Sequence, residues 1–164
     1  MLSQKIVNML NAQMNLELYS SNLYLQMSAW CTYQGFEGAA KFLREHANEE
    51  LQHMRKLFTY LNETGATTRL EKIEAVPHEF AGLKEVFELA YKHEKHITAK
   101  INELVSATFE EKDYSSFNFL QWYVAEQHQE ETLFNSFLDK LNLLGTDRRG
   151  LYHFDKDVSS TSAE

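Results

Sequence analysis

The chain has 164 residues, 43% of them hydrophobic, which suits one domain with a substantial core and is too short for two ordinary ones. Twenty-four acidic residues against 16 basic ones give a formal net charge of -8, which repels polyanions and excludes nucleic acid as the expected partner. One proline, six glycines and a single cysteine, Cys31, leave the chain poor in strand punctuation and exclude an internal disulfide or a CxxC motif.

The first residues carry no basic stretch leading into an apolar core, and no apolar run reaches the ~20 residues of a membrane helix. A cytoplasmic location away from membranes is the expectation. Residues 5–33 place Ile6, Leu10, Met14, Ser21, Tyr24 and Ser28 on one helical stripe, and Glu17 falls on the same stripe. A carboxylate centred on an apolar face is costly to bury alone, so it calls for a partner, a metal or a wet edge. Gly35 and Gly38 interrupt the pattern.

A second helix over 37–64 sets Ala39, Leu43, Ala47, Glu50, His53, Leu57 and Leu61 on one face, and Gly65 stops it. Residues three apart on a helix project together, so Glu50 and His53 reach one point from a rigid rod. Residues 66–82 show neither period and include Pro77; they read as an extended crossover, strand-like at Lys72 to Val76. At ~3.3 Å per residue such a segment spans ~55 Å, more than the ~42 Å of a 28-residue helix, so the helices on either side can run parallel. A third helix over 83–111 carries Phe87, Ala90, Tyr91, Ile97, Ile101 and Leu104, with Glu94 among them. Asp113 caps a fourth, 114–144, in which Gln127 and Glu130 lie between Tyr123 and Phe134. A short fifth helix over 148–157 and a disordered polar tail, 158–164, complete the single domain 1–164. The expected fold is all-α: a four-helix bundle with one long crossover between helices 2 and 3, the topology of ferritin-like folds, plus the short C-terminal helix.

Each of the four long helices thus has coordinating residues in the middle of its core stripe: Glu17, Glu50 with His53, Glu94, and Gln127 with Glu130. Burying four carboxylates without cations would cost more than a marginally stable domain can bear. Carboxylates with an imidazole suit iron or manganese first, and zinc would bind as well. With two ions, the central Glu50 is the natural bridge, leaving Glu17 and His53 to one and Glu94 and Glu130 to the other.

The chain resembles the bacterial non-haem ferritins along nearly its whole length. The matches are clearest in Asn15-Leu16-Glu17-Leu18-Tyr19-Ser20-Ser21, Met27-Ser28-Ala29-Trp30-Cys31, Phe36-Glu37-Gly38-Ala39-Ala40, Tyr91-Lys92-His93-Glu94 and Asn118-Phe119-Leu120-Gln121-Trp122-Tyr123. The resemblance implies a ferroxidase and iron store: a di-iron site of Glu17, Glu50, His53, Glu94 and Glu130, with Gln127 as a nearby or weak contact and Tyr24 and Trp122 beside the centre. It also implies a third iron site from Glu49, Glu126, Glu130 and position 129, where Gln129 brings a neutral carbonyl in place of the family's common carboxylate and so a weaker site. A homo-oligomeric shell of twenty-four subunits, with the fifth helix lining a fourfold channel and a ferric mineral within, is part of the same expectation. The implied cofactor is iron, with no haem: Gln127-x-x-Glu130 replaces the second Glu-x-x-His of a bacterioferritin, and Leu51 stands where its haem-ligating methionine would lie. A rubrerythrin needs two CxxC pairs that one cysteine cannot supply. An oxygenase on the same bundle would require an apolar substrate pocket. A bundle with no metal would leave the aligned core carboxylates unexplained.

Overall fold

The computed structural model describes residues 2–161, arranged as five helices: α1 (Gln4–Gln34), α2 (Glu37–Glu63), α3 (Leu83–Glu110), α4 (Tyr114–Leu144) and α5 (Arg148–Ser159). Their ends follow local chemistry. Ser3, Asp113 and Asp147 accept from backbone amides in the first turns of α1, α4 and α5, and Gly35, at φ 85°, closes α1 in the left-handed region. The N-cap residue of α2, Phe36, has no side-chain acceptor to offer its first turn. Asp155 of α5 supplies the function instead, accepting from the amides of Gly38 (3.1 Å) and Ala39 (2.8 Å).

Side-chain pairs fix the directions. Ser21 with Ala47 and Ser28 with Ala40 make α1 and α2 antiparallel, Phe87 with Phe134, Glu94 with Gln127 and Phe109 with Phe117 do so for α3 and α4, and Tyr123 with His53 and Tyr60 with Ser116 do so for α2 and α4. α2 and α3 therefore run parallel, as the long crossover allows.

The crossover is not strand-like at Lys72 to Val76; those residues have no regular structure, and no strand occurs among the described residues. A strand needs a partner edge, and among the described residues Lys72 to Val76 have no backbone partner; just before them, two asparagines of α1 hold residues 67–71 in place of a neighbouring strand. Asn11 accepts from Arg69 N (2.7 Å) and donates to Thr67 O (2.9 Å), while Asn15 accepts from Glu71 N (2.9 Å) and donates to Arg69 O (2.8 Å). Side-chain amides mimic a neighbouring backbone and pin the chain flat along the bundle.

The fifth helix extends through Ser159, past the expected end at 157, so the expected tail begins later than 158; residues 162–164 lie outside those described. Asp147 starts it and its buried Phe154 and Val158 join the core, which is why it holds.

The core divides into two apolar clusters. One contains Leu23, Tyr24, Leu43, Phe87, Ala90, Phe134 and Phe137; the other contains Leu10, Met14, Leu57, Leu61, Ile97, Ile101, Leu120 and Tyr123. Each long helix passes from one cluster to the other, and the belt between them falls at residues 17, 50–53, 94 and 127–130.

Candidate metal centre

That belt is polar and buried. Glu17, Glu50, His53, Glu94, Gln127 and Glu130 are each no more than 5% exposed. Burial follows from helical spacing, since each shares a face with apolar residues three, four or seven positions away and goes inward with them.

Two groups of donors form. Glu17, Glu50 and His53 offer ligand atoms all within 4.8 Å of one another, and so do His46, Glu94 and Glu130. The first group brings together the residues expected for one ion. The second brings together the two carboxylates expected for the other and adds His46, which the sequence reading missed. Its signal was present: His46 stands four residues before Glu50 and seven before His53 on the stripe of Leu43 and Leu57.

Surrounding groups fix the donors. Gln13 donates to Glu17 Oε1 at 2.7 Å. The Tyr24 hydroxyl donates to Glu94 Oε1, and Gln127 Nε2 donates to Glu94 Oε2 at 3.0 Å, so Glu94 is held on both oxygens. His53 turns Nδ1 to Glu50 Oε2 (3.0 Å) and Nε2 to Glu126 Oε1 (3.6 Å). His46 turns Nε2 to Glu130 Oε2 (3.1 Å) and Nδ1 to Glu49 Oε2 (3.3 Å). Tyr123 donates to the His53 carbonyl at 2.7 Å and ties α4 to α2 beside the centre.

Crowding of acids in a dry interior shifts the proton equilibria. Burial pushes Glu17 up, and burial with the Glu94 charge pushes Glu50 well up. Burial, with Glu130 beside it, raises Glu94 to about 7. For His53, burial favours the neutral ring, but Glu126 and Glu50 outweigh it and bring the group to about 11. For His46, burial is likewise outweighed, chiefly by the Glu130 charge, and the net shift is upward. Burial and then the Glu94 charge keep the Tyr24 phenol protonated far above its ordinary range. The centre thus holds more negative charge than its imidazoles balance, and protons or cations must supply the difference.

The remaining expected residues are more peripheral. Glu49 and Glu126 are half-buried and face the two imidazoles, Gln129 is exposed, and among the described residues none of the three joins either donor group. Trp122 stands edge-on to His53 with ring centroids 5.2 Å apart, and Lys56 Nζ lies 3.6 Å over its ring centroid. A groove of about 790 Å³ between α2 and α4, lined by Glu49, Lys56, Trp122 and Glu126, opens onto His53.

Four packed helices with carboxylates and imidazoles converging at one buried level define a carboxylate-type metal bundle. Comparisons with known proteins narrow the class. A family model described as a ferritin-like domain matches residues 7–144. The chain is 68% identical over 164 residues to a "probable bacterial non-heme ferritin-like protein" of Haemophilus influenzae, covering 100% of this chain and 99% of the relative. It is 54% identical to the "bacterial non-heme ferritin" of Escherichia coli O6:H1, with the same coverage. Among solved structures, an open pore ferritin from Archaeoglobus fulgidus superposes with a TM-score of 0.96 at 40% identity, covering 99% of this chain and 100% of that one. The chain belongs to the ferritin family, in its bacterial non-haem group.

Proposed function

We propose that this iron-storage protein is also a ferroxidase: it binds two ferrous ions at the belt, oxidises them with dioxygen and stores the ferric product as oxyhydroxide inside a shell of twenty-four copies. The observation that carries the reading is the convergence of Glu17, Glu50, Glu94 and Glu130, one from each long helix, with two imidazoles at one buried level. Iron is the substrate. Glu17, Glu50 and His53 take the first ion, and Glu50 bridges to a second held by Glu94 and Glu130. An anionic, largely dry site favours the ferric over the ferrous state by charge alone. Two ferrous ions release two electrons, which take one dioxygen to the level of hydrogen peroxide with uptake of two protons.

Tyr24 and Gln127 keep Glu94 aimed at the second ion, and Gln13 keeps Glu17 aimed at the first. Glu49, Glu126 and Glu130, with Gln129 in place of an acid, form a weaker third site beside the pair. The groove over His53 gives solvent and ions a path to the first position. No described helix is long and apolar enough to cross a membrane, in keeping with a cytoplasmic protein.

Aerobic addition of excess ferrous iron, followed by size-exclusion chromatography with iron counted per chain, tests oxidation, assembly and storage together. Many more irons per chain than the ligand sets hold, eluting with a large shell, is the expected result. A limit of two or three per chain would make the protein an oxidase without a store.

A further inference from the structure

We propose that His46 is a direct ligand of the second ion, so that each member of the pair is held by carboxylates and one imidazole, His53 for the first and His46 for the second. This rests on the paired-site reading above and adds a donor to it. His46 is 1% exposed, and neither ring nitrogen has a hydrogen-bond partner; Glu130 Oε2, 3.1 Å from Nε2, has none either. Their separation is close enough for a hydrogen bond, but their alignment does not make one. Two donors bound at ~2.1 Å and at right angles about one ion lie ~3.0 Å apart, so the observed spacing suits a cation shared between them. One ion there would satisfy both atoms, and the buried carboxylate of Glu94 belongs to the same donor group.

The ring is also held in place. Phe42 stacks on it at 5.5 Å, and Tyr24 and Phe134 meet it edge-on at 4.9 and 5.1 Å. Nδ1 faces Glu49 Oε2 at 3.3 Å. A carboxylate accepting from the far nitrogen is the usual companion of a metal-bound histidine, because it fixes the tautomer and strengthens the donor. Glu49 stands within reach of that role, and a small turn of either side chain would complete the bond. An imidazole in each position also makes the pair more hospitable to borderline ions than one all-oxygen position would be.

The test is a crystal structure of the unmodified protein soaked in cobalt(II), which dioxygen does not oxidise and whose anomalous scattering locates each ion, with an anaerobic cobalt titration of wild type and His46→Gln. The expected result is a second ion within ~2.3 Å of His46 Nε2, and a second binding step at least tenfold weaker in H46Q with the first unchanged. A second ion held by Glu50, Glu94 and Glu130 but more than 3 Å from Nε2 would overturn the proposal and leave the paired site standing. Absence of any ion at Glu17, Glu50 and His53 would overturn both. The soak needs no variant, so the proposal is decided even if H46Q does not fold.

Discussion

Asp155 closes the open end of a helix more than a hundred residues earlier in the chain: its carboxylate accepts from the amide of Gly38, whose Cα lies so close to α5 that a Cβ there would sit 1.9 Å from the Asp155 carbonyl oxygen. The glycine is required by that approach and the acid by the orphan amides of α2.

Gly38→Ala forces the backbone of α5 away from α2 and is expected to cost about 1–3 kcal/mol, as overpacking does. Asp155→Ala removes the cap and costs about 1 kcal/mol. Denaturant titration measures both, and hydrogen exchange localises the loss to α5 and the first turn of α2. Unchanged protection of α5 in G38A would show that the fifth helix is not docked through this contact.

The metal-free protein is expected to respond to pH through Glu94. Its folded pKa, raised to about 7 from 4.5, means that the folded state holds a proton the unfolded state has released. That contribution is present below pH 4.5 and is lost as the pH rises to about 7. Glu94→Gln lacks it, so the stability of E94Q relative to wild type should increase across this window in chelator-treated samples. Adding divalent metal to wild type should abolish this loss, because a bound cation favours the ionised carboxylate.

Glu50→Gln separates chemistry from architecture. Losing the bridge should slow ferrous oxidation by on the order of a hundredfold or more. The helices and the assembly should persist, and metal-free stability should not fall, because burial and the Glu94 charge already disfavour the ionised form of Glu50 and glutamine is a neutral side chain of the same shape. Stopped-flow oxidation and size-exclusion chromatography read the two halves; a variant that neither assembles nor folds would assign Glu50 a structural role.

Gln129→Glu is expected to raise the iron bound per chain in anaerobic titration. The side chain at 129 is exposed, so an added carboxylate carries little desolvation cost, and Glu126 stands three residues earlier on the same helix. An unchanged stoichiometry would mean that position 129 does not limit the third site.

The bundle was legible because its stripes were long and regular, and Glu17, Glu50, His53 and Glu94 stood out as polar residues on those stripes. Gln127 was placed as a neighbour of the centre, and it lies hydrogen-bonded to Glu94. What sequence did not reveal depends on contacts between distant segments. The Asn11 and Asn15 amides that pin the crossover look like ordinary helix-surface residues until residues 67–71 lie against them. Asp155 looks like a solvated acid until α5 turns back. His46 was overlooked for a different reason: a histidine beside Phe42 and Leu43 reads as core, and only the meeting with Glu130 of α4 gives its nitrogens a task.

The crossover has a genetic consequence. By letting α2 and α3 run parallel within one chain, it allows a single polypeptide to supply every donor of both groups. No neighbouring copy is needed to complete either donor group. If these groups form the proposed paired site, a cell expressing an intact and a damaged allele would lose its capacity in proportion to the damaged dose. Subunits crippled at Glu50 or His53 would dilute their companions without poisoning them.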